Sequence, residues 1–183
     1  MNEQPSLSHI INHAMTYGTF MGIYWIGKFM LIPFIFSVPF TSLVFIGLTI
    51  AVPFIGYRFT QQYRKRSCPE QKITFSHAWT FCMAMYLFAS LLVAVAHYIF
   101  FQYIDQGTLF GTYTTILDNL LEINPSLASG MEASKQALDL IKLMTPIEIT
   151  LQMMINNLFY GMLMALPTAL IIALVSKKEQ VSY

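Results

Sequence analysis

Four long apolar stretches, separated by more polar connections, dominate the hydrophobic pattern of the chain. They run over about 10–36, 41–57, 77–103 and 146–176. At a rise of about 1.5 Å per residue each can cross a hydrocarbon core of about 30 Å, although the second has less to spare. The stretches lack the strict alternation of barrel strands, and in lipid a helix satisfies its own backbone groups. The pattern therefore predicts four transmembrane helices.

The connection 104–145, between the third and fourth stretches, shows a different pattern. Segments 109–123 and 131–144 place apolar residues at helical spacing, and Asn124-Pro125-Ser126 interrupts the chain between them. We predict two short amphipathic helices, which either lie at the membrane surface or cap the bundle. The predicted fold class is an all-α polytopic membrane protein, with residues 1–183 forming one four-helix membrane domain.

Prolines and one capping pattern refine the predicted helices. Pro33, Pro53 and Pro167 lie inside the apolar stretches, and each is expected to kink its helix because proline removes a backbone hydrogen bond. Thr145-Pro146-Ile147-Glu148 has the order of a helix start, with a capping threonine, proline at the first helical position and glutamate at the third. The fourth stretch is therefore expected to begin at Pro146.

Composition supports the membrane assignment. The chain is 56% hydrophobic and only 10% charged, whereas soluble domains carry about 25% charged residues. The first basic residue is Lys28, so the start of the chain lacks the pattern of a cleaved signal peptide. Cys68 falls in a polar connection and Cys82 inside a span, so no disulfide is expected.

The distribution of basic residues predicts an orientation. Five of the ten follow the second stretch and two lie in the C-terminal tail, so seven fall on one side of a four-span bundle. They are Arg58, Arg64, Lys65, Arg66, Lys72, Lys177 and Lys178. Basic residues concentrate in short cytoplasmic loops, so both termini are expected in the cytoplasm and 104–145 in the periplasm of a bacterium. The same run could also contact anionic lipid or a partner.

Three segments resemble one bacterial family. HAMTYGTFMG (13–22) is similar to its opening, YRKRSCPEQKITFSHAW (63–79) to its basic turn and the following helix, and LIIALVSKK (170–178) to its end. The chain thus resembles the uncharacterised inner-membrane family labelled domain of unknown function 4199. The resemblance implies four membrane helices and no catalytic residues. Through gene neighbourhood it also implies a polyprenyl-phosphate glycosyltransferase as a partner.

Lys28 is the strongest single candidate for function. An ionisable group inside a span costs about 2.5–3.5 kcal/mol on insertion scales. At nine residues before Ser37, it is expected about 13 Å below that helix end. Either the side chain snorkels or pairs with carbonyl groups freed near Pro33, or it contacts a lipid phosphate or a partner carboxylate.

Polar and small residues inside the spans are candidates for helix contacts. Asn156 and Asn157 are adjacent, so they point about 100° apart and are expected to make interhelical hydrogen bonds rather than line a transport path. Gly18 and Gly22 form a GxxxG pattern, which suits packing within the chain as well as dimerisation.

Catalytic and cofactor patterns are weak in this sequence. His9 and His13 share a helix face and His77 is expected on the same side of the membrane, but no carboxylate has matching spacing, so we predict no metal site. No phosphate loop, dinucleotide fingerprint or haem motif occurs, so no cofactor is expected, and there is no nucleic-acid-reading motif. The leading hypothesis is a non-enzymatic subunit or accessory factor of a membrane complex. The alternative is a small flippase-like or lipid-linked-sugar-handling partner of a polyprenyl-phosphate glycosyltransferase.

Overall fold

A computed structural model describes residues 6–67 and 73–179, without the side chains of 128–129 and 177–179. All regular structure in this part of the chain is helical, which confirms the all-α class. The α-helices are α1 (Leu7–Phe29), α2 (Pro39–Ser67), α3 (Phe75–Ile99), α4 (Thr108–Ile123), α5 (Ala128–Lys142) and α6 (Pro146–Glu179). Cys68, Lys72 and the side chains of Lys177 and Lys178 fall outside the described residues.

Three helical segments are long and apolar enough to cross a membrane. They are Pro39–Ser67, Phe75–Asp105 and Pro146–Ser176. α1 has sufficient length but is not among them, because His9, Asn12 and His13 interrupt its apolar sequence. The structure thus supports three of the four expected spans by length and composition.

α1 is shorter than the first apolar stretch. It ends at Phe29, and a 3₁₀ turn, Ile32–Phe34, follows. Pro33 has no N–H to donate to the carbonyl of Phe29, and it disfavours helical geometry at Ile32. Pro33 therefore lies beyond the end of α1 instead of kinking a helix that continues to Phe36. Pro53 and Pro167, in contrast, lie inside continuous helices.

α2 is longer than the second apolar stretch. It extends ten residues beyond Tyr57, to Ser67. The extension is rich in Arg, Gln and Lys, which are good helix formers although they are poor membrane residues. The end of the hydrophobic run therefore does not coincide with the end of the helix.

The described chain divides into two compact units. The first is formed by residues up to Val93 and from Met154 onward, and the second by Ala94–Met153. In the first unit, the core consists of one stripe of buried side chains on each of α1, α3 and α6, joined by Tyr63 of α2 and by Ile73. Half of the apolar window of α3 is buried, compared with 6% of that of α2. α3 is therefore the central helix of this unit.

Tyr86 of α3 joins all four helices of the first unit. Its ring stacks on Trp25 of α1, with centroids 6.0 Å apart. A Cβ at Gly161 of α6 would lie 2.8 Å from Cβ and Cγ of Tyr86. A Cβ at Gly56 of α2 would collide with the Tyr86 hydroxyl. Both glycines are therefore required where their helices approach this buried ring.

The second unit contains both short helices predicted in the connection, α4 and α5. A π-helical segment, Phe100–Asp105, follows α3 directly. The buried Asp105 carboxylate accepts hydrogen bonds from the backbone N–H groups of Gly107 (3.1 Å) and Leu109 (2.8 Å), which caps the start of α4. Gln106 and Gly107 have positive φ angles of 46° and 86°, which reverse the chain before that helix.

α4 and α5 are linked by an ion pair at their exposed surfaces. Lys135 Nζ donates to Asp118 Oδ1 at 2.6 Å, and this contact raises the pKa of Lys135. Since both side chains are about half exposed, the pair adds little to stability. Leu117 of α4 and Leu138 of α5 are buried apolar side chains of this unit.

The start of α6 follows the predicted capping pattern. α6 begins at Pro146, and Glu148 Oε2 accepts hydrogen bonds from the backbone N–H (2.7 Å) and the hydroxyl (2.8 Å) of Thr145. The glutamate thus closes the helix start onto the threonine, as in one half of a capping box.

Candidate functional site

A cavity of about 190 Å³ in the first unit, here called the lysine pocket, surrounds Lys28. It is lined by α1, α2 and α6, with Trp25 and Lys28, Thr49 and Pro53, and Asn157 and Tyr160 among its walls. Pro53 cannot donate to the carbonyl of Thr49 four residues earlier, which leaves that carbonyl without its helical partner. The pocket therefore combines a cation with amide and hydroxyl groups in a largely apolar helical unit.

The position of Lys28 differs from the expected one. Because α1 ends at Phe29, Lys28 lies in the last turn of the helix and not nine residues below its end. A cation in the last turn is favoured by the partial negative charge of the helix C-terminus. The Nζ atom also lies 5.3 Å from the centroid of the Phe45 ring on α2, a cation–π contact. These two interactions offset part of the cost of placing the ammonium group among helices.

The two asparagines of α6 have different surroundings. Asn157 is half-buried and lines the lysine pocket, whereas Asn156 is exposed on a neighbouring part of the helix surface. The expected rotation of about 100° between adjacent residues explains this difference. The structure therefore brings Lys28 and Asn157 to one cavity and leaves Asn156 outside it.

The GxxxG pattern of α1 packs against α3 of the same chain. A Cβ at Gly18 would lie 2.7 Å from Phe88 Cβ and 2.8 Å from the carbonyl oxygen of Met85. At Gly22 it would lie 2.8 Å from Leu92 Cδ2. The structure thus uses both glycines inside the first unit, where they allow the two helices to approach closely.

The basic residues at the end of α2 do not form one uniform surface. Arg58, Lys65 and Arg66 are exposed, while Arg64 is 6% exposed and belongs to the buried residues of the first unit. Arg66 lines a second cavity between α1 and α2, together with His13. Arg58, Arg64 and Lys65 are not among the residues that line this cavity.

The three histidines considered as metal ligands are held by other contacts. His13 Nδ1 donates to the backbone carbonyl of His9 at 3.0 Å, and the two rings lie 4.3 Å apart. His77 Nε2 shares a 2.6 Å hydrogen bond with the Tyr63 hydroxyl. Across the described ranges, no group of three His, Cys, Asp or Glu side chains is arranged to hold a metal ion.

Several residues of these sites were not singled out from the sequence. Trp25, Tyr63, Tyr86, Gly56 and Gly161 are all buried at helix contacts. Aromatic residues and glycines are common in membrane helices, so no local signal distinguishes these five. Only the helical phase relative to Ile10, Ala14 and Met21 could have placed Trp25 on the buried stripe of α1.

Together these features define an all-helical protein with several helices apolar enough to span a membrane and with polar groups gathered between them. The family model described as protein of unknown function (DUF4199) matches residues 16–173. The chain belongs to this family, as the three similar segments indicated. Searches of curated proteins and of solved structures gave no significant match.

Proposed function

We propose that this protein is a non-enzymatic, multi-pass protein of the bacterial inner membrane that serves as a subunit or accessory factor of a membrane complex. In this proposal α1 crosses the membrane together with α2, α3 and α6, and both termini lie in the cytoplasm. The outward face of α2 binds a transmembrane helix of another membrane protein.

The outward face of α2 supports the proposal. Phe40, Leu43, Ile50 and Phe54 recur at helical spacing along it and are 59–69% exposed. Gly47 lies in the middle of this face, and a Cβ there would have no heavy atom within 4 Å. Since a side chain at Gly47 would meet nothing among the described residues, a small residue here suits the close approach of an external helix.

Purification from native membranes in mild detergent tests this surface. Tagged wild-type protein is expected to retain a partner in stoichiometric amount, and Gly47→Leu to lose it, because the added side chain blocks close approach without disturbing the isolated chain. Ile50→Leu, which changes the same face without adding bulk, is the matched control. Recovery of the wild-type protein alone would contradict the proposal, and recovery of a second copy would assign the surface to self-association.

The lysine pocket favours a second candidate function, the handling of lipid-linked sugars beside a polyprenyl-phosphate glycosyltransferase. An ammonium group facing a cavity in a membrane protein can attract the phosphate of such a lipid. Lys28→Met is expected to abolish rescue of a deletion strain, while Lys28→Arg, which keeps the charge, should retain part of it. Equal rescue by Lys28→Met and the wild type would remove this candidate.

A further inference from the structure

The second cavity of the first unit, here called the arginine pocket, has a volume of about 550 Å³. Its walls are one stripe from each of two helices, with His13, Tyr17 and Phe20 from α1 and Phe59, Gln62 and Arg66 from α2. In each helix these positions recur at the spacing of one face. The pocket is therefore a groove between two helices.

The groove has a polar end and an aromatic end. α1 and α2 run antiparallel, since Tyr17 contacts Phe59 at 5.3 Å between ring centroids and His13 contacts Tyr63 at 5.6 Å. His13 and Arg66 are consequently at the same end, two turns of helix away from Phe20 and Phe59 respectively. Phe20 is 56% exposed, so the aromatic end is continuous with the outer apolar surface of α1.

The polar end is suited to an anion. Arg66 is exposed, and none of the described residues that line the groove carries a carboxylate. An arginine guanidinium can donate two parallel hydrogen bonds to a phosphate, and the Gln62 amide supplies a further donor.

We propose that the arginine pocket binds the phosphate headgroup of an anionic phospholipid. Arg66 and Gln62 hold the phosphate, and the glycerol and the first part of the acyl chains lie along Phe59 and Phe20. The change from polar to aromatic walls along one groove matches an amphiphile. A free phosphate ion would contact only the polar end and leave the aromatic end empty. This inference is independent of the partner surface on α2, because Phe40, Gly47 and Phe54 do not line the groove.

Lipid binding measured by native mass spectrometry tests the site. Purified protein in a neutral detergent is titrated with a phosphatidylglycerol at fixed ionic strength. Arg66→Gln is expected to weaken binding by about tenfold, the usual loss of a charge-assisted hydrogen bond. Lys65→Gln removes the same charge one residue away, outside the groove, and should cause a clearly smaller loss. Equal losses in the two variants would show general attraction to basic residues and would overturn the site.

Two further measurements distinguish binding of a phospholipid from binding of a free phosphate ion. Phe20→Ala is expected to weaken lipid binding, and its exposed position means that the fold tolerates the change, which thermal denaturation without lipid checks. Inorganic phosphate at matched concentration should compete poorly. Competition by inorganic phosphate as strong as that by phosphatidylglycerol, with Phe20→Ala unaffected, would overturn the lipid assignment and leave a free-anion site.

Discussion

At the residue scale, the glycines of this chain have two different physical roles. Gly161 and Gly56 lie where a Cβ would collide with Tyr86, whereas Gly47 faces open space. All three are in long helices, where glycine costs roughly 1 kcal/mol relative to alanine in water. The close approach of Tyr86 explains why Gly161 and Gly56 are glycines. No contact with the described residues explains why position 47 is a glycine.

We expect Gly161→Ala to destabilise the protein by about 1–3 kcal/mol, because the new methyl group would overlap the inner atoms of the buried Tyr86 side chain. Gly47→Ala is the matched control and should leave stability unchanged or raise it by up to about 1 kcal/mol, because the new methyl group meets no atom and alanine is the better helix former. Thermal denaturation in one detergent, followed by circular dichroism, measures both. A Gly161→Ala protein as stable as Gly47→Ala would contradict the packing around Tyr86.

The hydrogen bond between Tyr63 and His77 is the second prediction at this scale. Tyr63 is fully buried, and its ring stacks on Phe81 with centroids 4.1 Å apart. Tyr63→Phe keeps this stacking and removes only the hydroxyl, so we expect a loss of about 1–2 kcal/mol from an unmade buried hydrogen bond. Tyr103→Phe, at a site 67% exposed, is the control and should have little effect. Similar denaturation midpoints for the two variants would argue against the bond.

At the element scale, α1 is positioned in the first unit by its packing against α3. Its buried residues form one stripe, and Gly18 and Gly22 are part of it. The opposite face carries exposed apolar residues, including Phe20 and Ile23. α1 can thus belong to the bundle although its sequence is not apolar enough to stand among the candidate spans.

Alanine substitutions should rank the contacts of α1. Gly18→Ala places a methyl group against a backbone carbonyl and a Cβ, neither of which can move alone, so we expect a loss of about 2–3 kcal/mol. Gly22→Ala meets mainly the flexible end of Leu92 and should cost less. Gly27→Ala, in open space, should be nearly neutral. The order of melting temperatures is the measurement, and a Gly27→Ala protein less stable than Gly18→Ala would refute this arrangement.

At the scale of the whole molecule, the number of spans decides on which side of the membrane the N-terminus lies. Four spans place the start of α1 on the same side as the connection between α2 and α3, whereas three spans place it on the opposite side. In both cases the basic residues near Arg66 predict that this connection lies in the cytoplasm.

Thiol labelling of intact cells distinguishes these topologies. Cys82 is fully buried, so an impermeant maleimide reports Cys68 in the natural sequence. With Cys68 replaced by serine, Ser8→Cys and Ser126→Cys report the start of α1 and the connection between α4 and α5. We expect only Ser126→Cys to react from the periplasm. Reaction of Ser8→Cys from that side would show that α1 does not span the membrane.

Much of the fold could be predicted because it depends on local properties. Helices α2, α3 and α6 follow from the length of their apolar runs, and the start of α6 follows from Thr145 and Glu148. The ends of helices were less predictable, since hydropathy reports the cost of leaving water and not the backbone conformation. α1 therefore ends seven residues before its apolar stretch does, and α2 continues ten residues beyond.

By itself, the sequence determined the helical class, three of the four expected spans, the family and the uneven distribution of charge. Only the tertiary structure decided that Gly18 packs internally while Gly47 faces outward, and that Asn157 rather than Asn156 joins Lys28 at a cavity. Each of these outcomes depends on the rotation of one helix about its axis relative to its neighbours. Adjacent residues point about 100° apart, so two residues of the same type, such as Asn156 and Asn157, can have different surroundings.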